Sequence, residues 1–233
     1  MAARPSSGSH FDMGAQKTLA CLRVIRHVDC SPGRKDGNGD GDGDGDEDGA
    51  VLQEEEMLAF VPVGGSEGLQ LDVERIGRWV AYCDNHHRGS CFRIEDPWWM
   101  MDTPGRLLFV DVEEECVTLQ PGTSDYLTLS YVWGPDLSPL VAMKANIEGL
   151  CEAHSLAESS PLGTRLPRTI RDAMEVTRRL GYRFLWVDRL CIVQDDEATK
   201  PAHLASMAAI YGNSSITIIA DNVGDDEGLP GVG

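Results

Sequence analysis

An acidic and a basic residue directly follow one short apolar run in this chain. Residues 184–187 read Phe-Leu-Trp-Val, and Asp188 and Arg189 come next. An apolar run that stops abruptly at polar residues is typical of a buried strand that delivers side chains to a site at its end. We take both residues as candidate catalytic groups: a partly desolvated carboxyl group, and a guanidinium that neutralises it or binds an anionic ligand. The alternative is an Asp that caps the loop beside a solvated Arg.

Four further candidates for ligand binding follow apolar runs. Trp133 and Gly134 end the run at residues 126–132, and Asp195 and Asp196 come after the run at residues 190–193. The indole face of Trp133 could stack on an aromatic ligand ring, or the side chain could simply fill the core at the strand end. The two acids could coordinate a hard cation, or they could cap the free N–H groups of the next helix.

The seven cysteines form no compact framework, which favours free thiols in a reducing compartment. Cys83, His87 and Cys91 are spaced four residues apart, so a helix would present them on one face as zinc ligands. The spacing is not that of a standard zinc finger, and the alternative is a set of buried small side chains with a packed His. For Cys191, which has apolar neighbours, we expect a buried thiol with a raised pKa rather than a nucleophile.

The elements that must position these residues alternate along the second half of the chain. The sequence predicts strands at 126–132, 183–187 and 215–220, with helices at 169–180 and 202–211 between them. Thr169 with Asp172 predicts a capping box, and Gly181 fits the position after the first of these helices. A β-α-β-α-β series predicts an α/β fold with a parallel sheet flanked by helices. Ligands bind beyond the carboxyl ends of such strands, so residues 133–135, 188–189 and 221–222 should converge at one edge.

The first half predicts a mixed α+β extension. Strands at 18–28 and 57–63 are predicted to pair as a hairpin, a helix is predicted at 71–87, and adjacent strands at 106–112 and 116–119. The predicted organisation is an N-terminal extension (1–35), a disordered Gly/Asp linker (36–49), a strand and helix extension (50–122) and a core domain (123–233).

Composition limits the classes of partner. The formal charge is −18, and residues 36–49 hold seven acids and no base, so the remainder carries −11. Such a charge argues against nucleic-acid binding. The Gly/Asp tract formally fits an EF-hand loop, but a repeat of this kind matches many acidic patterns, and we predict a self-repelling linker. The sequence has no apolar run long enough to span a membrane and no signal-peptide core, which predicts an intracellular, cytoplasmic protein.

Four motifs in one order carry a family resemblance. They are L-S-Y-V-W-G at 129–134, L-P-R-T-I-R-D-A at 166–173, L-G-Y-R-F-L-W-V-D-R-L-C-I-V-Q-D-D at 180–196, and a segment from Met to Ala at 207–220, with Gly228 and Leu229 closing the pattern. Over residues 126–229 the chain resembles the fungal heterokaryon incompatibility (HET) domain. Several motifs in a fixed order are far more specific than any one of them.

The resemblance implies a fold similar to that of Toll/interleukin-receptor (TIR) domains, with a flavodoxin-like sheet. It implies a role in fungal non-self recognition and programmed cell death, through self-association or another incompatibility or receptor protein. Some TIR-like domains cleave NAD, which makes NAD a candidate substrate. Many HET sequences carry W-x-x-E before the M-x-x-I-Y motif, where this chain has His203 in place of the acid, so any NAD glycohydrolase activity is expected to be weak or absent. A degenerate or truncated copy of the domain is a further alternative, because comparable proteins usually continue beyond Gly233.

The resemblance also touches the Cys/His segment. Related sequences often show W-x3-C-x3-H-x2-3-C ahead of the core, which Trp79, Cys83, His87 and Cys91 match. The resemblance does not itself imply a metal there, so zinc remains one of two interpretations.

Overall fold

The computed structural model describes residues 22–25, 60–63, 68–86, 104–134, 140–220 and 227–232. Of these, it describes the side chains of residues 70–82 and of all the later ranges. The predicted linker at 36–49 and the predicted positions His87, Cys91, Asp221 and Asn222 lie outside the described residues. None of the described helices is long and apolar enough to cross a bilayer.

Eight strands and six α-helices make up the described part of the chain. The strands are β1 (Leu22–Ile25), β2 (Phe60–Val63), β3 (Gly68–Leu71), β4 (Arg106–Asp111), β5 (Cys116–Pro121), β6 (Tyr126–Tyr131), β7 (Phe184–Trp186) and β8 (Ile216–Ala220). The helices are α1 (Val73–His86), α2 (Ile147–Leu150), α3 (Arg168–Arg179), α4 (Asp188–Cys191), α5 (Lys200–Ala205) and α6 (Met207–Gly212). A single 3-10 turn, Gly163–Arg165, precedes α3.

The main sheet has the order β1-β8-β6-β7-β4-β5, and β2 pairs with β3 in a separate ribbon. Strand β6 is parallel to both β7 and β8, as the alternation of strands and helices predicts. Strand β6, the first of these three along the chain, lies between β7 and β8. The crossover after β6 leads to β7 on one side of β6, and the crossover after β7 leads to β8 on the other side. Right-handed crossovers in opposite directions place their connecting helices on opposite faces of the sheet.

The sheet as a whole is mixed, which corrects the prediction of a parallel sheet. Strand β4 pairs antiparallel with both β7 and β5, and β1 pairs antiparallel with β8. The reason for the β4–β5 pairing is local: only four residues join the two strands, and a connection that short permits an antiparallel hairpin but not a parallel crossover. The hairpin prediction for the first half is also wrong, since β1 joins β8 and β2 joins β3.

Helix α3 ends as the sequence predicts but begins differently. Gly181 has a φ of 82°, and the bonds Gly181 N–Arg178 O and Tyr182 N–Thr177 O complete a Schellman motif. At the other end, Pro167 is the N-cap and no side chain caps the helix, so the predicted capping box is wrong. Asp172 is engaged instead by the backbone N–H of Leu229, at 2.7 Å. The helix predicted at 202–211 is divided into α5 and α6 at Ser206.

The core covers both faces of the sheet. All the leucines and isoleucines of β6, β7 and β8 except Ile219 are buried, and so are Phe109 and Trp186. On one face, the Tyr126 hydroxyl donates to the carbonyl of Ile210 at 2.6 Å, which fixes α6 against β6. The ring of Phe109 lies 4.8 Å from that of Tyr126, so strand β4 shares this core. The ends of β6 and β7 therefore project from a packed core.

Candidate functional site

Asp188 lies at the carboxyl end of β7, as the first residue of the short helix α4. Val187 before it is extended, so the chain turns sharply from strand to helix and the carboxylate stays next to the backbone. The Asp188 Oδ1 atom accepts hydrogen bonds from its neighbour's N–H, Arg189 N, at 2.7 Å and from the indole Nε1 of Trp133 at 3.1 Å. The side chains at the ends of two neighbouring parallel strands thus meet, as the sequence predicts.

Arg189 is the second member of this cluster and is only 1% exposed. Its guanidinium carbon lies 4.5 Å above the centre of the Trp133 ring and 6.0 Å from the centre of the Tyr131 ring. A cation above an aromatic face is attracted by the ring quadrupole, and the attraction is stronger when water is excluded. The solvated Arg considered above is therefore wrong: the arginine is packed between rings. We call Trp133, Asp188 and Arg189 the strand-end cluster.

Burial raises the pKa of Asp188 above its ordinary value. The hydrogen bonds from Trp133 and from the Arg189 N–H lower the pKa, as does the positive charge of Arg189, but desolvation outweighs them. Asp188 in turn contributes to a raised pKa of the Tyr211 hydroxyl, for which burial is the main cause. A carboxyl group whose charged form is destabilised by partial burial is a common feature of functional sites.

Two tyrosines near the cluster were not identified as site residues from the sequence. Tyr131 lies under Arg189, and Tyr211 donates its hydroxyl hydrogen to the carbonyl of Leu129 at 3.1 Å. Tyr131 is the last residue of β6, so its position beside Trp133 could have suggested a role. Tyr211 belongs to an amphipathic helix, where an aromatic residue is ordinarily a core residue, so the sequence carries no signal for its proximity to Asp188.

Asp195 and Asp196 form a separate network in the loop after α4. Asp195 accepts a hydrogen bond from the backbone N–H of Lys144 at 2.8 Å, and Asp196 pairs with the Lys144 ammonium at 3.0 Å. Asp196 also accepts from the Ala198 backbone N–H at 3.3 Å and from the Thr199 hydroxyl, and these contacts together hold its pKa below the usual value. These acids tie two loops together, but neither caps the next helix: α5 has no side-chain cap, so that alternative is wrong. Whether they also bind a ligand stays a prediction.

The loop that contains Lys144 also supports the cluster. The backbone N–H of Ala142 donates to the carbonyl of Arg189 at 3.0 Å, and the side-chain amide of Gln194 donates to the carbonyl of Asp188 at 2.9 Å. The first bond satisfies the carbonyl of Arg189, and the second adds a donor to the carbonyl of Asp188, which also accepts the N–H of Ile192 at 3.2 Å. Gly134 follows Trp133 and is half-buried.

The remaining candidates fall partly outside the described residues. Cys83 lies in α1, but its side chain is not described, and His87 and Cys91 lie outside the description, so zinc binding stays a prediction. Among the described side chains, no group of three Cys, His or acidic residues is placed to hold a metal ion. Cys191 is buried, as expected, and burial raises its pKa to about 12.

His203, where the family resemblance predicts an acid, lies in α5. Its Nδ1 atom is buried without a hydrogen-bond partner in the described part of the chain. Among the described strand ends, Asp188 thus supplies the carboxyl group of the cluster. It lies beside the packed guanidinium of Arg189 and the indole ring of Trp133. With the Arg189 guanidinium buried, this set could meet a ring of a ligand through the exposed part of Trp133, or it could serve as a rigid base for a contact surface.

Comparison with known proteins identifies the part of the chain that contains this cluster. No curated protein and no solved structure matches the chain. Residues 126–232 match the family model described as heterokaryon incompatibility protein (HET), and this range includes β6, β7, β8 and all three residues of the strand-end cluster. The chain is therefore a heterokaryon incompatibility domain protein, with its HET domain at residues 126–232.

Proposed function

We propose that this protein acts in fungal non-self recognition and signals programmed cell death through self-association of its HET domain. The observation that carries the proposal is a group of exposed apolar side chains beside the strand-end cluster. Val132 is 65% exposed, Trp133 38% and Met143 36%. Apolar side chains grouped at a surface are typical of sites where proteins bind one another.

These three residues lie near the same strand end. Val132 and Trp133 directly follow β6, and Arg189 packs on the Trp133 ring. The carbonyl of Arg189 binds the N–H of Ala142, which precedes Met143. The packed arginine holds Trp133 in one orientation, so the surface is ordered before any partner arrives, and ordering in advance lowers the entropic cost of association. A second copy is the simplest partner, because one patch then meets its equivalent across a two-fold axis.

Self-association can be tested on purified protein by sedimentation velocity over a wide range of concentrations. We expect the wild type to show a concentration-dependent dimer and Val132→Lys to remain monomeric, because a charge in the patch would be buried without a partner. Leu204→Lys is the matched control, since Leu204 is also exposed (49%) but lies on α5. A dimer that persists in Val132→Lys would remove this surface from the proposal.

Signalling requires a second experiment, in fungal cells. The full chain would be fused to a module that dimerises on addition of a small molecule, and viability would be followed after addition. We expect loss of viability in cells that express the wild-type fusion and not in cells that express the module alone, because induced proximity replaces the natural trigger. Unchanged viability with the wild-type fusion would count heavily against a signalling role.

A second candidate function is hydrolysis of NAD at the strand-end cluster, where the half-buried carboxyl group of Asp188 lies beside the indole of Trp133. A carboxylate near the ribose would stabilise an oxocarbenium-like transition state. The test is NAD loss and nicotinamide release by wild type, Asp188→Ala and His203→Glu. Turnover that Asp188→Ala abolishes would establish an enzyme. Turnover only in His203→Glu would indicate a silenced active site, and none in all three would leave association as the function.

A further inference from the structure

Helix α3 and its two flanks carry a concentration of positive charge in a strongly acidic chain. Residues 165–183 contain six arginines and two acids, whereas the chain as a whole carries −18. The arginines are Arg165, Arg168, Arg171, Arg178, Arg179 and Arg183. A local field of the opposite sign to that of the whole molecule attracts anionic segments.

Four of the arginines lie on the solvent-facing side of α3. At 3.6 residues per turn, residues 168, 171, 178 and 179 share one face with Asp172 and Glu175, and the opposite face is buried against the core. Arg168 is 61% exposed, and Arg178 and Arg179 are also exposed. We call this surface the arginine face.

Both acids on the arginine face are already engaged. Asp172 accepts the N–H of Leu229 at 2.7 Å and lies 3.9 Å from Arg168, and Glu175 pairs with Arg178 at 2.7 Å. The four arginines of the face outnumber its two acids, and Arg178 also donates to the carbonyl of Val112, next to the acidic turn at residues 113–115. A partner for it must be anionic and long enough to extend over several turns of helix.

The chain itself contains a segment with these properties. Residues 36–49 hold seven acids and no base, mostly as alternating Gly and Asp. In an extended chain, acids at every second position lie about 7 Å apart on the same side. The arginines at 168 to 179 extend over roughly 16 Å of helix axis. Three or four of the acids could therefore face the helix at once. The glycines between them have no side chain that would obstruct this approach.

The acidic segment can also reach the helix. It begins eleven residues after β1, which ends at Ile25, and eleven extended residues cover up to about 36 Å. Strand β1 lies two and three strands from β6 and β7, the strands that α3 contacts. Neighbouring strands are about 4.8 Å apart and a helix packs about 10 Å from its sheet, so the required distance is well within reach.

We infer that the arginine face of α3 binds the chain's own acidic segment, residues 36–49. Single exposed ion pairs are weak, but several pairs that form within one chain benefit from the high effective concentration that the connection provides. Docking would also neutralise the repulsion among the seven acids. This inference does not depend on self-association of the HET domain.

The test is nuclear magnetic resonance of the full chain, which resolves the backbone amides of the glycines in residues 37–49. Their chemical shifts and relaxation rates would be compared with those of a free peptide of the same sequence. The variant Arg168→Gln/Arg179→Gln removes two exposed charges from the face. Arg78→Gln/Arg106→Gln removes the same charge from α1 and β4 and is the matched control.

At low salt we expect the glycine signals of the wild type and the control to differ from the free peptide, and those of the α3 variant to approach it. Near 1 M salt, where the screening length is about 3 Å, all should coincide with the peptide. Glycine signals equal in wild type and α3 variant at low salt would overturn the proposal. So would a difference that disappears on dilution, since it would assign the contact to a second copy. Equal melting temperatures of the two variants confirm that charge and not folding was changed.

Discussion

At the scale of single residues, two motifs that are far apart in sequence meet in one contact. Asp172, in the segment at 166–173, accepts the N–H of Leu229, which follows Gly228 in the closing pair. Gly228 has a φ of 80°, and a Cβ atom there would approach Asp172 Oδ2 closely. The sequence indicates only that both motifs are present. The structure shows that the acid serves to anchor the end of the domain and that glycine is required where it does so.

Replacement of Gly228 by Ala should therefore destabilise the protein by about 2–4 kcal/mol, through backbone strain and a steric clash together. Gly181→Ala is a matched control, because Gly181 has a φ of 82° but no atom within 4 Å of its Cβ position. Only the conformational cost, about 1 kcal/mol, applies there. Urea unfolding of the two variants measures the difference. Equal losses would show that the contact with Asp172 contributes nothing.

Asp188 gives a prediction with a defined pH dependence. Its pKa is raised in the folded state, so the folded chain holds the proton more tightly than the unfolded chain does. The favourable contribution is present below the unfolded pKa, about 3.9, and is lost as the pH rises through the folded pKa. Asp188→Asn should therefore be more stable than the wild type at pH 7, with a difference that shrinks toward pH 4. Thermal unfolding at both pH values measures it, and a less stable variant at pH 7 would contradict it.

At the scale of elements, the hairpin of β4 and β5 is held by one buried acid. Asp111 Oδ1 accepts the N–H groups of Glu113 and Glu114, each at 3.1 Å. Its other oxygen pairs with Arg183, just before β7, at 2.8 and 2.9 Å. The sequence predicts both strands and the acidic turn, but it does not distinguish Asp111 from the exposed glutamates that follow. That distinction depends on Arg183, which is 72 residues away in the chain.

Asp111→Ala should destabilise the protein by roughly 2–4 kcal/mol, since it leaves two turn N–H groups and a guanidinium without their acceptor. Glu113→Gln is the control: Glu113 is exposed and lies 3.6 Å from Arg183, so its loss should cost at most about 0.5 kcal/mol. Urea unfolding curves would distinguish the two. A similar small effect for both variants would mean that the hairpin turn keeps its conformation without Asp111.

Local patterns in the sequence predict some parts of this fold, whereas contacts between distant segments determine the others. Apolar runs identify β6, β7 and β8, and a helical stripe of apolar residues identifies α3, because each element is patterned by its own burial. The approach of Trp133 to Asp188 follows from the parallel arrangement of these strands. The pairing of β1 with β8 and the packing of Arg189 between two rings depend on contacts between distant segments, for which a single sequence carries no periodic signal.

At the scale of the whole molecule, the main sheet extends beyond the HET domain. Residues 126–232 supply β6, β7 and β8, but β4 continues the sheet from β7, and the hairpin lies before residue 123. The core crosses this position as well: Phe109 packs on Tyr126 and lies 5.8 Å from the ring of Phe184. The predicted domain boundary at residue 123 stays a prediction. Fragments that keep or remove the pairing of β4 with β7 would test it.

A fragment of residues 123–233 should fail to fold, whereas a fragment of residues 104–233 should retain the five strands from β4 to β8. The shorter fragment loses the buried side chains of Leu107, Phe109, Val110 and Val117. At about 1.5–3 kcal/mol for each buried side chain, this loss approaches the whole stability of a small domain, about 5–15 kcal/mol. It also exposes β7 as an apolar edge strand, which favours aggregation. Circular dichroism and light scattering on the two fragments measure both effects. A cooperative, monomeric fragment 123–233 would instead show that the HET domain folds without the hairpin and that β4 only extends an already stable sheet.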